Sequence, residues 1–281
     1  MAFKYEPFVG QQVYGKYNKV IASRKDRLGF LTLNNPMEGN LLDLDMMEEV
    51  VSAVREIEAD DKVLVIIINA AGRDYSLGID YRKIPANGEE AARFFEKFVA
   101  HAVAFSALSK PLISSVHGRA YAGGCALAVR TPDLAVLAED ARIALAGMTL
   151  GLTCAAGFKA TSRIVGPLKA KEYILTGRDI DPHEVVSLGM ANKVVPLEKL
   201  NDATIEFAEL IASRPPNAIK ASKKVFNETY NMTPVEAWNY GLQKCVAPLT
   251  DTEDFKIAVD AIFTEDFIKG GKTPLPKWKG R

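Results

Sequence analysis

The chain alternates short unbroken apolar runs with longer segments in which apolar residues return every three or four positions. Residues 63–68 (Val-Leu-Val-Ile-Ile-Ile) contain no polar side chain. A β-branched run of that length fits a strand covered on both faces, as in parallel sheets packed between helices. Residues 111–116 and 134–137 read the same way. Residues 19–23 and 28–33 flank the charged turn Arg24-Lys25-Asp26-Arg27 and predict a hairpin. Leu44, Met47, Val50, Val51, Val54 and Ile57 share one helical face, and Asp43 stands where an N-cap belongs. Further helices are predicted over 89–108, 125–129, 168–175, 182–188, 200–212, 216–228, 234–245 and 254–263. Gly177 and Gly189 stand where a helix would stop. Residues 70–88, rich in Gly, Asp and Pro, read as a loop, and residues 1–18 give no clear pattern. Strands crowd the first half and helices the last third. The expected class is α/β, with a core over 1–196 and a helical region over 197–281.

Composition narrows the function classes. Of 281 residues, 48% are hydrophobic, which suffices for a sizeable core. Lys plus Arg and Asp plus Glu each number 35, so no net basic charge supports a general nucleic-acid binder. No apolar run approaches the ~20 residues that cross a bilayer. Residues 1–10 carry Lys4 and Glu6 without an apolar stretch, so no secretory leader is expected. Three scattered cysteines, Cys125, Cys154 and Cys245, fit a reducing compartment and give no zinc spacing. A cytoplasmic protein without a metal, and without a membrane or nucleic-acid partner, is the expectation.

Two Gly-containing loops each follow a predicted buried strand: Tyr75-Ser76-Leu77-Gly78-Ile79-Asp80-Tyr81, and Val116-His117-Gly118 running on to Ala122-Gly123-Gly124-Cys125-Ala126. Gly123 and Gly124 stand where a helix begins, and amides there lack intrahelical acceptors. Two N–H groups from separate loops can hold a developing oxyanion. Glycines that only mark tight turns are the alternative reading.

These residues also carry a resemblance. The segments Leu31-Thr32-Leu33-Asn34-Asn35-Pro36 with Asn40, Ser76-Leu77-Gly78-Ile79-Asp80, Val116-His117-Gly118 with Ala122-Gly123-Gly124-Cys125, and Leu175-Thr176-Gly177-Arg178 with residues 189–196 resemble the motifs of the crotonase (enoyl-CoA hydratase/isomerase) superfamily. The resemblance runs from about residue 20 to the C-terminus. It implies a crotonase-like spiral of ββα turns with a C-terminal helical trimerisation region, a homotrimer or dimer of trimers, and an acyl-CoA thioester ligand. It implies no permanently bound cofactor, coenzyme A arriving as part of the substrate. By position, the amides of Ile79 and Gly123 would form the oxyanion hole. Met37, Glu38, Gly39, Leu77, Gly78, Asp80, Gly124, Ala126, Gly147 and Lys269 would meet the rest of the substrate.

The sequence departs from the family at the acid–base positions. The two glutamates of the family's hydratases fall on Ala126 and Gly147, and neither replacement can carry a proton. A general acid or base commonly contributes a factor of about 10²–10⁴, so ordinary hydration is not the expected reaction. Cys154, Tyr81, His101 and Tyr240 are the candidates for other pocket chemistry. Each also has a bland reading, as small filler for Cys154, subunit contact for Tyr81, satisfied core or interface histidine for His101, and core packing for Tyr240. The family's CoA-binding lysine falls on Asp266, which leaves Lys269 or Lys272 for the phosphates. The sequence points first to decarboxylation of a malonyl-type acyl-CoA, or lyase or hydrolase chemistry on a cyclic acyl-CoA, through an enolate. The alternatives are an enoyl-CoA hydratase/isomerase with a non-standard acid and base, and a non-catalytic acyl-CoA binder.

Overall fold

The computed structural model describes residues 5–153, 157–264, 268–271 and 276–279. Chain contacts divide it into two compact units. One comprises Met1–Leu108 with Leu112–Ala208, the other Ser109–Pro111 with Glu209–Arg281.

The first unit is built on a seven-stranded sheet. Its strands in chain order are β1 (Gln12–Val13), β2 (Val20–Lys25), β3 (Leu28–Leu33), β4 (Val65–Ala70), β5 (Leu112–Val116), β7 (Leu134–Ala138) and β9 (Lys193–Val195). β6 (Arg119–Tyr121) and β8 (Arg142–Ala144) form a separate parallel pair. In the large sheet β1–β2 and β2–β3 pair antiparallel, and every pairing from β3 onward is parallel. The predicted hairpin is β2–β3, and the run read at 63–68 becomes β4, displaced by two residues. Every residue of β3, β4 and β5 is buried, as both-face covering requires.

Helix α1 (Leu44–Ala59) buries Met46, Met47, Val50, Ala53, Val54 and Ile57, and Asp43 caps it by accepting the Met46 amide at 2.8 Å. Helix α2 (Gly88–Ser106), capped by Asn87, buries Phe94, His101 and Phe105. The short helix α3 (Gly123–Val129) follows β6 directly. Then come α4 (Phe158–Val165), α5 (Pro167–Thr176), α6 (Pro182–Ser187) and α7 (Leu200–Ala212). α5 opens on a proline and ends at Gly177, whose φ of 61° a Cβ would disfavour. Thr204 of α7 meets Ser115 of β5, hydroxyl to hydroxyl, at 3.1 Å.

The second unit holds α8 (Pro216–Thr229), α9 (Pro234–Thr250) and α10 (Asp254–Ile262). Within it the Trp278 indole donates to the Ser213 carbonyl at 2.6 Å, and the Lys279 amide donates to Asp254 at 2.7 Å. Among the described residues no helix is long and apolar enough to cross a membrane.

Candidate active site

The two glycine loops of the first unit meet. Residues 75–80 run between Leu42, two residues before α1, and strand β6, through single parallel bridges Leu42–Ile79 and Ser76–Ala120. The Leu42 amide donates to the Gly78 carbonyl at 2.7 Å, and the Asp80 amide donates to the Leu42 carbonyl at 3.1 Å. These bonds flank Ile79 on one side, so the alternation of an extended chain turns the Ile79 amide to the other. That amide has no acceptor among the described residues. The amide of Gly123, first residue of α3, has none either.

Glycine contacts hold the loops together. A Cβ on Gly78 would fall 2.5 Å from the Tyr121 carbonyl oxygen and 3.1 Å from the Gly123 amide nitrogen. A Cβ on Gly124 would fall 2.2 Å from the Ser76 carbonyl oxygen. Gly78 also has a φ of 92°, a region L side chains rarely adopt. Between the loops Ala122 takes φ 48° and ψ −109°. For a residue with a Cβ this conformation costs about 1–3 kcal/mol, and such strain persists only where surrounding contacts over-determine it. One such contact is the Ala122 amide donating to the Ala144 carbonyl at 2.8 Å.

A second layer fixes this geometry. Buried Asn40 donates from its side-chain nitrogen to the carbonyls of Ala71 and Asp74, both at 2.9 Å, and its side-chain oxygen accepts the Asn35 amide at 2.8 Å. Ser76 Oγ donates to the Asn40 carbonyl at 2.7 Å and accepts the Gly78 amide at 3.1 Å. Arg119 grips Asp74 with Nε and a terminal nitrogen, both at 2.7 Å, tying the loop after β4 to β6. Burial alone would raise the Asp74 carboxyl, but the Arg119 bonds outweigh it and hold it below the usual carboxylate range. His117 Nε2 donates to the Gly72 carbonyl at 2.8 Å.

The surroundings of the paired amides are apolar. A Cβ on Gly123 would meet the Phe98 ring at 3.0 Å and Leu42 at 3.1 Å. Ala126 is half-buried on α3, and Gly147 is buried in the 3₁₀ turn Ala146–Leu150, where a Cβ would meet Leu152 at ordinary contact distance. Tyr81 is half-buried and packs against the core. His101 is 3% exposed, and burial pushes its imidazole down to about 4, so it is neutral near pH 7. Its ring lies edge-on between Phe98 and Phe105, with centroids at 6.4 and 5.2 Å.

The segment expected to meet coenzyme A leaves Met37 exposed on a 3₁₀ turn. Glu38 pairs with Arg82 at 2.9 Å. Gly39, at φ 62°, accepts the Leu77 amide at 3.0 Å and carries the Leu77 side chain against its α-carbon. Asp80 is held by Arg82 Nε at 2.8 Å, and that hydrogen bond lowers its carboxyl despite burial.

Ile79, Gly123, Gly78, Gly124, Leu77 and Gly39 are thus brought together. Tyr240 and Lys269 belong to the second unit, where Tyr240 is half-buried with Lys244 over its ring at 5.3 Å and Lys269 is exposed. Cys154, Asp266 and Lys272 lie outside the described residues. Sequence reasoning did not single out Leu42 or Phe98 as contacts of the glycine loops. Phe98 was detectable as the residue three before His101 on the same helical face. The Asp74–Arg119 fork, spanning 45 residues, left no local signal.

Comparison with known proteins bears on this geometry. The family described as enoyl-CoA hydratase/isomerase matches residues 23–267. A short-chain-enoyl-CoA hydratase of Clostridium acetobutylicum is 31% identical over 264 residues, covering 91% of this chain and 98% of that protein. A probable mitochondrial enoyl-CoA hydratase of Dictyostelium discoideum is 30% identical over 211 residues, covering 75% and 76%. Among solved structures, an enoyl-CoA hydratase subunit of Geobacillus kaustophilus superposes with a TM-score of 0.86 at 26% identity, covering 95% of this chain and all of that one. Human enoyl-CoA hydratase domain-containing protein 3 gives 0.82 at 26% identity, covering 92% and 100%. The α/β architecture is therefore the crotonase fold, as the sequence motifs implied.

Proposed function

The chain belongs to the enoyl-CoA hydratase/isomerase family, and from that premise we propose that it binds an acyl-CoA thioester whose carbonyl oxygen accepts hydrogen bonds from the Ile79 and Gly123 amides. The observation that carries this reading is the pair of unbonded amides held together by glycine contact between Gly78 and residues 121–123. When a nucleophile adds at the β-carbon, or the α-carbon loses a substituent, the thioester carbonyl becomes an enolate oxyanion. Fixed donors aimed at that oxygen stabilise it without reorganising, and removal of one such donor elsewhere costs about 10²–10³ in rate. Coenzyme A enters and leaves with the substrate.

Hydration or isomerisation of an enoyl-CoA is the first reading, because the relatives carry the names enoyl-CoA hydratase and probable enoyl-CoA hydratase. It requires an acid and base other than the family's two glutamates, whose positions fall on Ala126 and Gly147. A second reading is supported by those same two residues. Decarboxylation of a malonyl-type thioester forms the enolate by loss of CO₂ and needs no protein base, and a pocket without carboxylates there does not repel an anionic substrate.

A mass-spectrometric time course separates the readings, using crotonyl-, methylmalonyl-, ethylmalonyl- and cyclic dienoyl-CoA. Gain of water on crotonyl-CoA at many turnovers per minute supports hydration. Loss of CO₂ from a malonyl substrate alone moves the assignment to the decarboxylase. Binding without turnover of any thioester makes the chain a non-catalytic binder, and absence of binding refutes the acyl-CoA reading altogether.

A further inference from the structure

Several buried side-chain polar atoms of the first unit lie outside the site so far described, and His101 Nε2 is the one that stands beside a ring at the paired amides. His101 Nε2 is buried and has no hydrogen-bond partner among the described residues. Buried ring nitrogens are nearly always paired, and an unpaired one weakens the fold, so its presence calls for a reason. The stripe of α2 that carries it is otherwise aromatic: Phe94, Phe98 and Phe105 stand at the neighbouring helical positions. A phenylalanine or leucine at 101 would fill such a stripe without the unmet polar group. His101 also lies next in line from the paired amides. A Cβ on Gly123 would fall 3.0 Å from the Phe98 ring, and the imidazole lies edge-on to Phe98, one helical turn farther along.

We propose that His101 contacts the acyl chain of the substrate, its Nε2 hydrogen-bonding an uncharged oxygen, a carbonyl or hydroxyl, carried on that chain away from the thioester. This rests on the acyl-CoA reading above and deepens it by naming a substrate class. The neutral ring offers a donor or an acceptor according to its tautomer. The apolar lining favours an uncharged group over a carboxylate, whose burial without a counter-charge is costly. An alkyl chain of the same length leaves Nε2 as unsatisfied as it is in the free protein.

The test uses the full-length protein and matched pairs of acyl-CoA thioesters of equal length, one with an oxo or hydroxyl group on the distal chain and one purely alkyl. Calorimetric titration gives both dissociation constants for the wild type and for His101→Phe. The wild type is expected to bind the oxygenated member roughly fivefold to tenfold more tightly, the worth of one good hydrogen bond. The variant is expected to bind both alike. Equal affinities in the wild type, or an undiminished preference in His101→Phe, overturn the proposal. Should His101→Phe fail to fold, ¹⁵N-histidine spectra of the wild type decide, since the chain has only three histidines. The His101 ring signal must move with the oxygenated thioester and stay put with the alkyl one; no movement overturns the proposal. Binding of alkyl thioesters without a preference removes this inference alone, whereas absence of binding by any thioester removes the acyl-CoA reading with it.

Discussion

Substituting Gly78 by alanine attacks the paired amides where they are held. The new Cβ would lie 2.5 Å from the Tyr121 carbonyl oxygen, against about 3.4 Å for an ordinary contact, so one loop must retreat by most of an ångström. Misplacing a reacting group by about 1 Å can cost on the order of 10²-fold in rate. The expected result is therefore a kcat loss of about 10²-fold on whichever thioester the wild type turns over. The backbone adds its own cost, since φ is 92° and a Cβ in the left-handed region costs about 1–2 kcal/mol. Gly189→Ala supplies the control. Its φ is 75°, yet nothing lies within 4 Å of the Cβ position. Both variants should lose a few degrees of Tm, and only Gly78→Ala should lose turnover. Steady-state kinetics beside thermal melts makes the comparison. Equal kcat in the two variants would refute the reasoning, because it would mean that the contact between residues 78 and 121–123 does not set the amide positions.

Introducing Ala126→Glu together with Gly147→Glu should raise crotonyl-CoA hydration at least about tenfold, since each acid–base group commonly contributes 10²–10⁴. An unchanged rate with thioester binding intact would show that these positions do not face the reacting carbons. Asp43→Ala should destabilise the fold by about 1 kcal/mol at neutral pH through loss of the α1 cap. Burial by itself would raise the Asp43 carboxyl, but hydrogen bonds from Lys19, Lys83 and the Met46 amide hold it down to about 2. Its ionised form therefore stabilises fully above the unfolded value of about 4 and progressively less as pH falls toward 2. Urea melts of wild type and variant should diverge at pH 7 and converge near pH 2; a constant gap would contradict the assignment.

Much of the fold could be read from the sequence, because apolar period and helix signals act locally. α7 occupies the predicted residues 200–212, and α1, α5 and α8 end within two residues of their predicted bounds. What escaped was short or irregular. β6, β8 and β9 have three residues each, too few for an alternation to declare itself. α4 (Phe158–Val165) lies outside every helix predicted from the apolar period. At the site, the glycine loops were visible as punctuation, and their meaning came from the resemblance. Their mutual contact was not visible: Gly78 and Gly123 lie far apart in sequence, and the Ser76–Ala120 bridge and the Asp74–Arg119 ion pair, both non-local, bring them together. The orphaned His101 nitrogen was equally hidden, since a lone histidine on an apolar helix face reads as a satisfied core residue.

The parallel pairing from β3 through β9 sets Leu33 beside Ala70, Val116 beside Leu137 and Ala138 beside Val195. All five of those strands therefore release their chains along one rim of the sheet. The segments that follow include Asn40, the Gly78 loop and the Gly123 turn, while the opposite rim receives the returning helices. Codon changes in the rim segments, such as those that would place glutamates at 126 and 147, leave the strand registers untouched. For an engineer, positions 126 and 147 are thus open to exchange without altering the strand pairings, whereas the rim glycines and Asn40 carry both site and stability.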